Sequence, residues 1–457
     1  MEQLSAVDRA WLLMDRPSNP MMIVGLIVFA ATVEHAALRD LVSQRFLAYR
    51  RFRCVPVSNS TGGSWVEATS FDIDDQVLCH ALPAPAGQRE LESLVGELAS
   101  TPFRPGRPPW SFHLVEHYER GSALVVRIHH AYADGIALLK VLWSLADHEP
   151  HAGGRRVPRK KRPEVPAAGL DLSAGWPSGA ELTEKAVHLA MHPLEASTLV
   201  RKALGLAGEL AHVGLLAADP PTRLKRPLSG IRGVAWAAAL SIQEVRALGQ
   251  VLGCTVNDIL MSTLAGALGR YLEARGDAVT GLTIRAAVPV NLRTEQAPST
   301  LGNHFGLVFV ELPIGIRHPL ERLYAVRAAM QNLKSSPQAM VTLGLLALIG
   351  SLPPAAEKPL IALFSAKATL VASNLRGPST ALHIAGAAVS QALFWVPQAG
   401  DIGIGVSMLS YSGQMQFGVM ADRQLIPHPA EVVNELAAEF ERLVFLLLLG
   451  GPVAVHP

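Results

Sequence analysis

Cysteine is scarce in this chain of 457 residues: Cys54, Cys79 and Cys254 stand far apart, odd in number and in no CxxC pair. That spacing excludes a disulfide framework and a cysteine-based zinc site, and it reads as three reduced, mostly buried thiols of a cytoplasmic protein. Long apolar runs are missing too. The stretch 21–33 follows residues of mixed charge and is shorter than the roughly 20 residues that span a bilayer, so it reads as a buried strand rather than a leader or a span. The run 443–449 is halted by Gly450, Gly451 and Pro452 and reads as the end of a core helix or a shallow membrane contact. Strong net charge is absent: the formal value is +2, which points to no nucleic-acid partner. There is no P-loop, no GxGxxG behind a strand, no HExxH and no GxSxG elbow, and His148 and His151 fall in a linker. A nucleotide cradle, a metal site and a serine-hydrolase triad are therefore not expected.

Apolar residues are abundant instead, at 49% with a mean hydropathy of +0.26. Such a chain can fill large cores and still leave apolar surface for lipid or a partner. Its length favours two domains. The first part alternates helical and strand patterns, with helices over 5–13, 34–49 and 136–147 and strands over 23–29 and 123–130. This argues for a layered α/β unit over 1–147. From 148 to 232 the chain turns Pro-, Gly- and base-rich and then helical, as a linker with connecting helices would. A second α/β pattern fills 233–457. Ser241 and Glu244 have capping spacing, Gly253 and Gly276 stop helices, Pro353-Pro354 breaks an apolar helical pair over 341–364, and Pro429 opens a last helix.

The stretch "RIHHAYADGIALLK", 127–140, ends a buried apolar strand on two imidazoles and turns at once into a helix. A neutral imidazole accepts a proton near physiological pH, and the C-terminal end of a strand is where α/β sheets place active sites. Neighbours on a strand point to opposite faces, so only one of His129 and His130 can face a cleft. Asp134 lies beyond the strand, before Gly135, and suits a loop-fixing ion pair as well as it suits chemistry. By itself the pair fits a packed structural corner better than a proton-transfer site.

Further segments change that balance. HHxxxDG over 129–135, "RPPWSFHLVE" (107–116), "TVNDILMSTLAGALGRYL" (255–272), "RAAVPVNLR" with "LGNHFGLVFVELPIG" (285–293, 301–315) and "SNLRGP" (373–378) occur in one order. Together they resemble the bacterial wax ester synthase/diacylglycerol acyltransferase family of the HHxxxDG, CoA-dependent acyltransferase superfamily, nearly end to end. Pro109 departs from the leucine usual there, beside Trp110.

The resemblance implies two chloramphenicol-acetyltransferase-like α/β domains facing each other across a channel and joined by a helical linker. It implies transfer of a long acyl chain from acyl-CoA, a substrate and not a cofactor, to diacylglycerol or a long-chain alcohol. His130 would be the general base, with His129, Asp134 and Asn257 in the catalytic set. Trp110, Gly135, Asn303 and Asn374 would line the substrates. Asn257, Asn303, Asn374 and backbone N–H groups near Gly302 and Gly377 are candidate oxyanion donors. Helix capping is an equally good reading of Asn257-Asp258, a turn fits Asn374 as well, and Trp110 suits the core. The basic runs 155–162 and 223–226 would meet CoA phosphates or, for the first, an anionic membrane or lipid-droplet surface. Two rivals remain open: a condensation-type acyltransferase using a carrier-protein thioester, and a lipid-droplet protein that keeps the fold without activity.

Overall fold

A computed structural model describes residues 2–59, 62–147, 208–209, 211–293, 301–334 and 336–450. The basic run 155–162 and most of the expected linker lie outside the described residues.

A short strand β1 (Glu2–Gln3) is followed by helix α1 (Ala6–Met14), whose N-cap Ser5 accepts from Asp8 N–H. The stretch after it becomes β2 (Met22–Phe29), with all eight residues buried. Such uniform burial explains its unbroken apolar run, since both faces of the strand are covered. Helix α2 (His35–Leu41) is shorter than its pattern suggested, because the chain passes into a π-helical turn at Val42–Phe46 and a 3₁₀ turn at Arg50–Arg53. Strands β3 (Cys54–Ser58), β4 (Gly63–Glu67) and β5 (Val77–His80) precede helix α3 (Gln88–Ser100). Then come β6 (Trp110–Tyr118), β7 (Gly121–His129) and helix α4 (Gly135–Trp143).

The later half begins with β8 (Arg232–Trp236) and β9 (Leu240–Ser241). Helix α5 (Ile242–Leu252) is capped by Ser241, which accepts from Glu244 N–H, and closed by Gly253 at φ +62°. Helix α6 (Val256–Glu273) follows, and then β10 (Ile284–Asn291), β11 (Phe305–Leu312), α7 (Pro319–Lys334), α8 (Gln338–Ser351) and α9 (Pro354–Ser365). Strands β12 (Leu370–Arg376), β13 (His383–Ile384), β14 (Ala387–Trp395), β15 (Ile404–Tyr411) and β16 (Gln414–Asp422) lead to the last helix, α10 (Pro429–Gly450).

Among the described residues, two mixed sheets carry the fold, beside a small one of order β1-β4-β3. The first runs β13-β14-β2-β7-β6-β5 and the second β11-β10-β12-β15-β16-β8, with β9 on β16. The two are not segregated along the chain. Strand β14 pairs antiparallel with β2, placing Trp395 opposite Val24 and Phe394 opposite Gly25. A cut at residue 233 would thus separate β14 from the sheet it completes. One large core joins α1, the first sheet and α4 to residues of α8, β11 and β14. A second core lies between α6, α10 and the second sheet.

Several expectations change here. Cys54 is buried, but Cys79 is exposed and Cys254 half-buried, so the thiols are not mostly interior. Of the basic run 223–226, Arg223 pairs with Asp277, and Lys225 donates from Nζ to the carbonyls of Ser365, Ala366 and Ala368 at the end of α9. Those two cations staple helix ends rather than offer a phosphate site. No single helix among the described residues is long and apolar enough to cross a membrane.

Candidate active site

Strand β7 delivers His129 as its last residue, and the next residues leave the sheet. His129 N–H donates to Pro109 O, and His130 N–H to Met21 O. The two side chains go opposite ways, as strand alternation requires. His129 accepts from Ala131 N–H at Nδ1 (3.1 Å), which fixes its ring proton on Nε2, 3.7 Å from an oxygen of Asp15. It is a packed corner of the loop.

His130 faces the junction of the two halves. Its ring stacks on Trp11 of α1, with centroids 4.0 Å apart and planes inclined by 19°, and is flanked by Phe305 of β11 at 5.5 Å. The side chain is almost wholly buried, and Nδ1 is enclosed without a hydrogen-bond partner. Burial pushes its pKa down to about 4, against the upward pull of the Asp134 carboxylate. The imidazole is therefore neutral at pH 7 and keeps a lone pair.

The carbonyl of His130 is held as firmly as its ring. Asn303 donates from Nδ2 to His130 O (2.8 Å) and to Asp8 Oδ1 (2.9 Å). Asp8 sits one helical turn before Trp11, so one face of α1 supplies both contacts. Burial pushes the Asp8 carboxyl up, opposed by the Arg51 guanidinium 3.6 Å away and by Asn303. Arg51 also donates to Tyr132 O, and Tyr132 OH to Cys54 O, which ties the loop to β3.

Asp134 is the N-cap of α4: Oδ1 accepts from Ala137 N–H. Oδ2 accepts from Arg293 Nε and Nη2 and from His304 N–H. Both oxygens are committed, so the carboxylate is a brace across the junction and offers no free oxygen to His130. Gly135 has no left-handed φ to explain it; a Cβ there would stand 3.2 Å from Leu375 Cδ1. A side chain there would press only on the end of Leu375, which projects from β12.

The remaining candidates separate. Asn303 has its amide N–H groups bound to Asp8 of α1 and to His130 O, which removes it as an oxyanion donor. Trp110 lies in the core, donating from Nε1 to Phe52 O and packed edge-on against Phe46 and Phe112, so it lines no substrate. Asn257 does not cap α6; Thr255 does, with Asp258 answering in a capping box. Asn257 instead accepts from Asn374 Nδ2, and both side chains are exposed. The geometry therefore brings Asn257 to Asn374, and Asn303 to His130. Trp11, Asp8, Arg51, Arg293 and Phe305 escaped the sequence reading. The i, i+3 spacing of Asp8 and Trp11 in a capped helix was the one local signal. Among the described residues, no group of three His, Cys, Asp or Glu side chains could hold a metal ion.

Comparison with known proteins gives this arrangement its family. Residues 4–260 match the model of the wax ester synthase/diacylglycerol acyltransferase catalytic domain, and 301–444 that of the WS/DGAT C-terminal domain. A Mycobacterium tuberculosis protein named as a diacylglycerol O-acyltransferase is 28% identical over 471 residues, covering 96% of this chain and 90% of its own. The solved wax ester synthase/diacylglycerol acyltransferase of Marinobacter aquaeolei VT8 superposes with a TM-score of 0.70 at 23% identity, over 97% of this chain and 99% of that one. The first condensation domain of the calcium-dependent antibiotic synthetase has the same fold, at a TM-score of 0.58 and 13% identity over 98% and 96% of the two chains.

Proposed function

Because the chain belongs to the wax ester synthase/diacylglycerol acyltransferase family and is an acyltransferase, we propose that it moves a long-chain acyl group from acyl-CoA to a hydroxyl of diacylglycerol or a fatty alcohol. The observation that carries the reading is the buried, neutral His130, held at ring and carbonyl by residues from both halves of the chain. In this reading Nε2 takes the proton of the acceptor hydroxyl as its oxygen attacks the thioester carbonyl. The resulting tetrahedral adduct then expels CoA as a thiolate, so no acyl-enzyme forms. The Asn257–Asn374 amide pair is the candidate oxyanion donor left once Asn303 is committed elsewhere.

The test is direct. The purified chain is given palmitoyl-CoA with hexadecanol and with diacylglycerol in parallel, and the lipid products are separated. His130→Ala is expected to abolish ester formation without changing the circular dichroism spectrum; retained turnover removes His130 as the base. A carrier-protein thioester used in preference to acyl-CoA would move the assignment to the condensation type.

We also propose peripheral attachment to a lipid surface on the cytoplasmic side. Its support is the exposure of Leu348 and Leu363, which line an apolar hollow, of Leu215, and of Phe445, Leu448 and Leu449 at the end of α10. Flotation with anionic and neutral vesicles tests it: Leu348→Asp with Leu363→Asp should lower the bound fraction.

A further inference from the structure

Three enclosed polar atoms around the imidazole have no hydrogen-bond partner: His130 Nδ1, Trp11 Nε1 and Asn303 Oδ1. Enclosed polar groups left unpaired are costly, so their placement calls for a cause. The three are not equivalent. The indole N–H only donates and the amide oxygen only accepts, whereas an imidazole nitrogen does one or the other according to its tautomer. Trp11 lies flat on the ring, its plane inclined by 19°. Its N–H therefore runs nearly parallel to the imidazole and cannot point at Nδ1, whose lone pair or proton lies in the ring plane. The amide oxygen of Asn303 is left as the atom that can decide the state of Nδ1.

The orientation of that amide is not free. Asn303 Nδ2 stands 2.8 Å from His130 O and 2.9 Å from Asp8 Oδ1. Both are acceptors, so the amide keeps Nδ2 toward them and Oδ1 turned away; a flipped amide would set oxygen against oxygen twice. The Asp8 carboxylate is itself held by the Arg51 guanidinium, 3.6 Å away. The backbone on either side of Asn303 is clamped too. Gly302 O accepts from Asp134 N–H, and His304 N–H donates to Asp134 Oδ2. The brace at Asp134 thus fixes the segment from which the amide is aimed. Through hydrogen bonding, the Asn303 side chain and the carbonyl of His130 itself each pull the pKa of the ring upward, which is the mark of acceptors facing a ring N–H.

We propose that Asp8 and Asn303 are positioning residues that set the tautomer of His130. Asp8 orients the amide, the amide oxygen holds the proton on Nδ1, and the lone pair is left on Nε2. The inference deepens the acyltransfer reading above, in which Nε2 is the base. With the proton on Nε2 instead, that nitrogen could not accept one from a hydroxyl. A buried carboxylate on the N-terminal helix, remote from any substrate, would then decide which nitrogen does the chemistry.

The tautomer can be read without turnover. The full chain, Asp8→Asn and Asn303→Leu are prepared with histidine carrying the heavy nitrogen isotope, and long-range proton–nitrogen correlation spectra are recorded at pH 7.5. The signals of His130 are identified by their loss in His130→Ala. The wild type is expected to carry the proton on Nδ1 and Asn303→Leu to show a mixture of tautomers. Asp8→Asn, whose new side chain can still offer an oxygen, should lie between them; it is also the variant that folds if Asn303→Leu does not. Rates with palmitoyl-CoA should follow the same order. We expect kcat to fall about a hundredfold in Asn303→Leu and about tenfold in Asp8→Asn, with KM within about twofold, since general base catalysis is worth about 10²- to 10⁴-fold and neither residue touches the substrate. If the wild type transfers no acyl group, the functional reading fails while the spectra still decide the tautomer. A wild-type proton on Nε2, or a proton kept on Nδ1 in every folded variant, overturns the proposal whatever the rates.

Discussion

The indole of Trp11 lies nearly flat on the imidazole of His130, 4.0 Å between ring centroids, although 119 positions separate them in the chain. An aromatic face at that distance fixes the plane of the imidazole and keeps water off it. The N-terminal helix is therefore part of the site, through Trp11 at the ring and through Asp8 and Asn303 at the backbone carbonyl.

Trp11 acts through His130, which makes it a positioning residue. Trp11→Leu should lower kcat about tenfold with little change in KM, since the ring loses a preferred orientation rather than a substrate contact. Admitting water should also raise the pKa of His130 from about 4 toward its unperturbed value of about 6.5, so the acid limb of the rate profile moves to higher pH. Trp11→Phe keeps a flat ring and should keep most of the rate. A folded Trp11→Leu variant with the wild-type pH profile would separate the stack from the function of His130.

Asp134 joins three segments with one carboxylate: its own loop, the start of α4, and Arg293 with His304 across the junction. Asparagine caps helices as well as aspartate does, so Asp134→Asn should leave α4 intact while removing the charge that faces Arg293. Losing one member of a buried pair costs about 3 kcal/mol, because the other charge stays desolvated. Urea unfolding should show that loss in Asp134→Asn and recover part of it in the double variant Asp134→Asn with Arg293→Gln. Additive losses in the double variant would mean that the pair contributes nothing as a pair.

What could be read along the chain was what neighbours in sequence decide. The apolar run of β2, the Ser241 cap with its Gly253 stop and the break at Pro353 all depend on residues within a turn or two of each other. The inequivalence of His129 and His130 came from strand geometry alone, and the two side chains do part. The pairing of β14 with β2 could not be read, because its register joins residues 360 or more positions apart. The same distance hid the roles of Asn303 and Trp11. Asparagine beside glycine suits a turn or a donor equally well, and which one it is depends on Asp8 and His130 O, which the fold brings from elsewhere. Trp110 is the opposite case: a residue of the motif region whose ring and N–H are fully spent on Phe52 and the core.

A last prediction concerns acid. Among the described residues, three histidines have pKa values below normal: burial lowers His130 to about 4, burial with the nearby Arg127 charge lowers His113 to about 3, and burial lowers His80. His113 is locked as a neutral ring, with Nε2 2.8 Å from Ser111 Oγ and Nδ1 2.8 Å from His80 Nε2. At His130 and His113 the unfolded chain binds protons from about pH 6.5 downward, whereas the native chain does not until pH 4 or below. The unfolded state therefore holds more protons across that window, and native stability falls as pH falls through it. By pH 5, His113 and His130 should each have removed about 2 kcal/mol, a large share of the stability of an ordinary domain. Unfolding by urea at pH 7.5, 6 and 5 measures the slope. His113→Gln removes one titrating site while keeping a hydrogen-bonding side chain, so it should start less stable at pH 7.5 yet lose less between 7.5 and 5. Equal slopes in wild type and variant would mean that His113 already carries its proton in the native protein, which the three-membered chain from Ser111 to His80 argues against.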